Sequence, residues 1–202
     1  MAELSDTPPT RSAVIELKDE RRAMQEGYVF LDEKCLLLAS EILRELEHHA
    51  RLQRELLALH ERARAALRAA VLRHGLQGLQ VYPAADLGAA PLRVRARALM
   101  GVRLQEAALD ATAAVRAPPS VERSPEGEAC RDAFAAVVSA AAALAAVAGN
   151  LERLSLEYRR SVRRARALQD VMLPELDGTI ADIENRLEEL ERDEAIFGRV
   201  RP

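Results

Sequence analysis

Between Val14 and Ala70 the chain carries two columns of mostly apolar residues with a repeat of seven. One column is Val14, Arg21, Tyr28, Cys35, Ile42, His49, Leu56, Ala63 and Ala70; the other is Leu17, Met24, Leu31, Leu38, Glu45, Leu52, Leu59 and Ala66. Alternating spacings of three and four place both columns on one face of an α-helix, and a sustained heptad selects a left-handed supercoil. No proline falls between Pro9 and Pro83, so a helix is expected over residues 10–75, with Gly75 and Gly78 supplying the stop. Its length at 1.5 Å per residue is on the order of 100 Å. A second run from Leu144 to Leu190 steps through Leu151, Tyr158, Ala165, Leu168, Met172, Leu176, Ile180, Ile183 and Leu187, and predicts a helix over 129–197. Pro174 removes a backbone donor inside it, so a kink is expected there.

Residues 76–128 form a central insertion between the two helices. Leu79–Tyr82 and Leu92–Ala98 both approach alternation and are punctuated by Pro83, Gly88 and Pro91, a pattern consistent with a short β-hairpin. Arg93, Arg95 and Arg97 would then share one solvated face. Residues 1–9 read as a flexible lead and 198–202 as a tail. Two helices of matching length joined by a compact insertion fold back most simply as an antiparallel two-helix coiled coil, so the fold class is all-α dominated. That register sets Thr10 beside Phe197 and Ala70 near Phe134. It also brings the Ala-rich run 133–148 opposite the Ala-rich stretch 57–72, where small side chains permit close axial approach. Arg21, Glu45, His49 and Gln169 are polar positions in the seam, residues of the kind that fix register. Gly27 is expected to admit another backbone.

Composition sharpens this picture. Ala and Leu dominate the 49% hydrophobic fraction, aromatics contribute 3% and charged residues 30%, the signature of long helices. A net charge of -3, with dispersed Lys and Arg and no interleaved aromatics, argues against nucleic acid as a partner. Two cysteines make no disulfide framework, and the register separates Cys35 from Cys130 by roughly 60 Å. The uncharged run Ala133–Gly149 is at the short limit for spanning a bilayer, and alanine is only weakly favourable there, so a buried, closely packed helix is expected instead. The polar start of the chain lacks the apolar core of a signal peptide, and the two isolated thiols fit a reduced, cytosolic protein.

Glu45 and His48 make half of the Glu-x-x-His di-metal signature, but no second copy exists, so this segment reads as a solvated helix face. Glycine-rich phosphate loops, nucleophile elbows and Cys-x-x-Cys pairs are missing from the sequence, so no cofactor, metal or catalytic residue is expected.

The second helix carries a longer pattern. Residues 161–180, SVRRARALQDVMLPELDGTI, followed by Arg186–Asp193, resemble the C-terminal helix of the D subunit of V/A-type rotary ATPases, with Arg163, Arg164, Ala167, Leu168, Val171, Pro174, Leu176, Thr179, Ile180 and Phe197 matching. Pro9-Thr10-Arg11, Leu17-Lys18, Gly27-Tyr28 and Leu31-Asp32-x-Lys34 are similar to that family's opening, and Met100-Gly101-Val102 to a marker in its middle. Arg166, Cys35 and Gln169 depart from the family's Asn, Arg and Glu. The short insertion and Ala/Arg bias suit a bacterial member.

The resemblance implies a non-catalytic central-stalk rotor shaft, peripheral to the membrane. It would contact the catalytic A and regulatory B subunits, the small F subunit, and an adapter subunit on the c-ring. On that reading the residues expected at partner contacts are Gly27, Lys34, Pro174 and the basic band Arg159, Arg160, Arg163, Arg164 and Arg166, with Ala66 and Ala141 at the thin level expected to face the F subunit. Heptads and composition alone fit a coiled-coil adaptor or tether equally well.

Overall fold

A computed structural model describes residues 10–82, 90–109 and 124–200, with the side chains of 81 and 197–200 excepted. The order is helix α1 (Arg11–Val81), strands β1 (Leu92–Leu99) and β2 (Val102–Leu109), helix α2 (Pro125–Ala167), one π-helical turn (Leu168–Met172) and helix α3 (Leu173–Val200). The fold is thus all-α dominated, with a small antiparallel hairpin in mid-chain. Two compact units are present: residues 1–37 with 158–202, and residues 38–157. The expectations for residues 1–9, for the pairing of the Phe197 side chain and for most of the tail lie outside the described residues.

Every residue of the two heptad columns on α1 is buried or half-buried except Arg21. At Gly75 the regular helix breaks, as expected, and α1 continues past it as a second, short helical piece. Gly75 adopts φ 69°, ψ 168°, a conformation open essentially to glycine alone, and helix resumes through Val81.

Leu79–Val81 are therefore helical and form no strand. The strand partner of 92–99 is instead the following segment, in unbroken antiparallel register from Leu92↔Leu109 to Leu99↔Val102. The cause is the two-residue turn Met100-Gly101, with φ 47° and 84°. Positive φ at both central residues is the type I′ geometry whose twist matches paired strands. Leu79–Val81 belong to the short helical piece that follows the break at Gly75.

Helix α2 starts four residues earlier than expected, at Pro125. Ser124 caps it: its Oγ accepts from the Gly127 N–H at 3.0 Å, and its carbonyl accepts from the Glu128 N–H at 3.1 Å. Proline follows at the first helical position, where no N–H is needed. A Cβ on Gly127 would lie 2.8 Å from the Tyr82 ring, so glycine is required for Tyr82 to lie over this helix start.

In the first unit, Val14 and Leu17 pack with Leu176, Ile180 and Ile183, flanked by Met24 and Leu187. Three ion pairs run alongside: Arg11–Glu191 at 2.6 Å, Lys18–Glu184 at 2.6 Å, and Arg21–Asp177. Partner numbers fall on α3 as they rise on α1, so the two segments are antiparallel. Arg11 meets Glu191, between one and two helical turns short of the level expected from Thr10 beside Phe197.

At the level of Pro174 the chain takes a π turn. The Leu173 N–H donates to the carbonyl of Leu168, five residues back. The buried face shows why. It runs Leu154, Ser161, Ala165, then half-buried Leu168, then Leu173, Leu176, Ile180 and Ile183. From Leu168 to Leu173 the step is five, where three or four would keep an α-helix in phase. Met172, expected in the seam, is 40% exposed, and Leu173 is 8% exposed in its place. One extra residue is absorbed by the wider turn, which also sits where proline has no N–H to contribute.

Candidate functional site

Two constellations stand out, one in each unit. In the second unit, α1 places Glu41 and Glu45 four residues apart on one face, both 7% exposed. Arg97, on β1, reaches both: one guanidinium nitrogen bonds Glu41 Oε1 and lies 3.5 Å from Glu45 Oε1. Arg44 adds a bond to Glu41 at 2.8 Å. Glu45 Oε2 is buried without a hydrogen-bond partner among the described residues. Two neighbouring buried carboxylates repel each other, and Arg97 is the cation that makes their burial tolerable. The expected solvated face at Glu45 and His48 is therefore corrected: Glu45 is buried, His48 is half-buried, and Glu45 faces the hairpin. Arg93 and Arg95 are exposed as expected, whereas Arg97 is engaged.

The other side of the hairpin is held by α2. The side-chain amide of Asn150, 2% exposed, accepts from the Gln105 N–H at 2.8 Å and donates to the Gln105 carbonyl at 2.9 Å. A side-chain amide thus stands in for the next strand on the outer edge of β2. Arg153 secures the Asn150 Oδ1 at 2.8 Å, and Ser139 Oγ donates to the Leu109 carbonyl at 2.9 Å. Ser139 and Asn150 are eleven residues apart, three turns along one face of α2. Neither Arg97 nor Asn150 stands out in the sequence as an anchor. The last of three alternating arginines, flanked by alanines, and a heptad position occupied by glutamate, were the available signals.

The remaining expected contact residues fall on several surfaces. Arg159, Arg160, Arg163, Arg164 and Arg166 lie on the last turns of α2, around buried Ser161 and Ala165. Arg159, Arg160, Arg163, Arg164 and Arg166 are exposed. Arg163 Nε donates to the Arg159 carbonyl at 3.3 Å. Arg159, Arg163 and Arg166 share one side of the helix, at spacings of four and three. Pro174 is exposed and Lys34 half-buried. Gly27 is half-buried, and what a Cβ there would meet is Leu168 Cδ1 at 3.9 Å, ordinary contact with a side chain and not the expected backbone approach.

Ala66 is half-buried and Ala141 exposed. The Ala-rich run of α2 is half-buried over most of its length, with Ala135 and Val147 enclosed, so it is less covered than expected. By length and composition alone the helix that contains it could cross a membrane; its most apolar window has a mean hydropathy of 1.9.

Electrostatics in the first unit centre on Arg21. Its hydrogen bond to Asp177 holds that carboxyl below the usual range; slight burial works against this and the guanidinium charge reinforces it. Burial raises the Cys130 thiol. The Cys35 thiol is raised by burial and by Asp32, with Lys34 opposing. Both cysteines are free. Among the described residues no group of His, Cys, Asp and Glu is placed to hold a metal ion. What these arrangements can do is hold surfaces in register and present charge.

Comparison with known proteins places the chain among proteins of one kind. Residues 13–199 match the family model for the D subunit of ATP synthase. The A-type ATP synthase D subunit of Pyrococcus abyssi is 30% identical over 199 residues, 96% of this chain and 92% of that one. The V-type ATP synthase D subunit of Thermotoga neapolitana is 27% identical over 186 residues, 92% of each chain. A V-type ATP synthase D subunit of Treponema pallidum, the copy numbered 2, is 29% identical over 190 residues, 92% of this chain and 88% of its own.

Proposed function

Because this chain belongs to the family of ATP synthase D subunits, we propose that it is the central-stalk rotor shaft of a V/A-type ATPase. In this role it is a non-catalytic subunit. It carries torque between ATP turnover in the A/B hexamer and proton or sodium movement through the membrane sector. The observation that supports this most is the arrangement of the two chain ends. Val14 to Met24 and Leu176 to Leu187 run antiparallel around an apolar seam flanked by three successive ion pairs, all but Arg11 inside the span that matches the family. Paired helices that cannot slide pass twist from one strand to the other, which a shaft requires.

The same reading gives the other regions their parts. Residues 10–75 and 129–197 form the shaft. The insertion 76–128 is the foot that rests on an adapter subunit above the c-ring. The shaft's surface must differ around its circumference so that three chemically identical catalytic sites meet different faces in turn. The exposed arginines 159, 160, 163, 164 and 166, and the phase shift before Pro174, supply that asymmetry. The exposed alanines of α2, Ala141 among them, are the level at which the small F subunit docks; occupied in this way, the apolar run needs no membrane. The protein then sits at the cytoplasmic side, peripheral to the bilayer.

Replacing Arg159, Arg163 and Arg166 together by Gln is expected to lower coupled ATP turnover of the reconstituted complex while leaving its assembly intact. Unchanged turnover refutes the role given to the band. Ala141→Leu is expected to weaken retention of the F subunit during co-purification. Failure of the unaltered chain to co-purify with a stoichiometric small subunit would return the protein to the class of non-rotary tethers.

A further inference from the structure

The hairpin has two edges, and among the described residues only one is occupied. Asn150 takes both backbone groups of Gln105, so Gln105 turns its N–H and C=O away from β1. Its partner in the register is Ala96. In an antiparallel pair, residues alternate between exchanging both bonds with their partner and directing both outward. Ala96, and with it Leu92, Val94 and Ala98, therefore point their backbone groups to the outer edge of β1. The Leu109 carbonyl, bonded to Ser139, confirms the phase from the other side, since Leu109 pairs with Leu92. Among the described residues no backbone group bonds this edge.

The edge is eight residues long, in unbroken register and without proline. Residues 92–98 are all exposed. Arg93 and Arg95 lie on one face of the strand and make no ion pair among the described residues, while Arg97 is already neutralised by Glu41 and Glu45. We propose that the outer edge of β1 receives an extended acidic segment of a partner protein as a third strand. Main-chain bonds at Leu92, Val94, Ala96 and Ala98 would supply affinity, and Arg93 and Arg95 would select for carboxylates at alternate positions. The same arginines disfavour a second copy of this chain, because pairing β1 with itself sets cationic strands side by side.

The test uses the full chain and two labelled eight-residue peptides, one alternating glutamate with valine and one alternating lysine with valine, followed by fluorescence anisotropy and amide exchange. The acidic peptide is expected to bind at least about tenfold more tightly than the basic one and to slow exchange at Val94 and Ala96. Ala96→Pro removes an outward N–H that the β1–β2 ladder does not use. It is expected to weaken the acidic peptide about tenfold while the inward amides of Arg95 and Arg97 keep their protection. Should that variant lose the hairpin, Arg93→Glu with Arg95→Glu decides the matter, by reversing the preference between peptides. No binding of the acidic peptide, or binding indifferent to the double variant, overturns the proposal. Concentration-dependent dimerisation that protects the same amides also overturns it and gives the edge to a second copy.

Discussion

If the π turn at 168–172 exists because the seam contains one residue too many, then removing one residue there should heal the helix. Deleting Val171, which is 49% exposed, brings Leu173 to four residues after Leu168. The bond from the Leu173 N–H to the Leu168 carbonyl becomes an ordinary α-helical one. Leu176, Ile180 and Ile183 keep their phase on the buried face. One obstacle remains: Pro174 would then stand in a regular α-helix against the carbonyl of Gln169, at a cost of about 3 kcal/mol.

The single deletion should therefore lose about that much, and deletion combined with Pro174→Ala should recover it to within about 1 kcal/mol of the parent. Deleting Gly178 is the control, since a Cβ there meets nothing within 4 Å. That deletion rotates Ile180 and Ile183 by about 100° out of the core. At about 1.5–3 kcal/mol for each displaced side chain, it should cost about 3–6 kcal/mol. Urea unfolding followed by helix dichroism measures all four proteins. If the combined variant is as unstable as the Gly178 deletion, the step of five is not the origin of the turn.

Three further outcomes follow from single residues. Asn150→Ala leaves the N–H and carbonyl of Gln105 without their partner, so a loss of about 2–3 kcal/mol is expected, with faster amide exchange at Gln105 as the local readout. The Asp177 carboxyl titrates below its unfolded value of about 3.9. The stabilisation it gives is complete above that value and disappears as pH falls through the lower folded value; Asp177→Asn should flatten this part of the acid-unfolding curve. Because both thiols are raised, alkylation of Cys130 and Cys35 at neutral pH should run slower than for an exposed cysteine and recover in denaturant, with mass spectrometry resolving the two sites.

Much of α1 is legible in the sequence, because a heptad is a local pattern and each of its positions except Arg21 is at least half-buried. The hairpin was legible in kind but not in place. Alternation at Leu79–Val81 looks the same whether a strand forms or a helix persists, and Met100-Gly101 reveals itself only if a methionine is allowed a positive φ. The phase shift at Leu168 is present in the spacing but is lost when steps are averaged, since one step of five among threes and fours leaves the mean near 3.6. The Glu41–Glu45–Arg97 and Asn150–Gln105 contacts were beyond reach for a different reason. Which polar residue is buried depends on what crosses it, and the hairpin arrives at α1 from more than fifty residues away.

Asn150 grips the backbone of position 105 and not its side chain. The grip itself makes no demand on the side chain there, which meets only Arg153 at 3.5 Å among the described residues, while the helix is bound to keep its amide. Position 105 should therefore tolerate substitution more readily than position 150, so on this side of the hairpin the specification of where it docks resides in the helix.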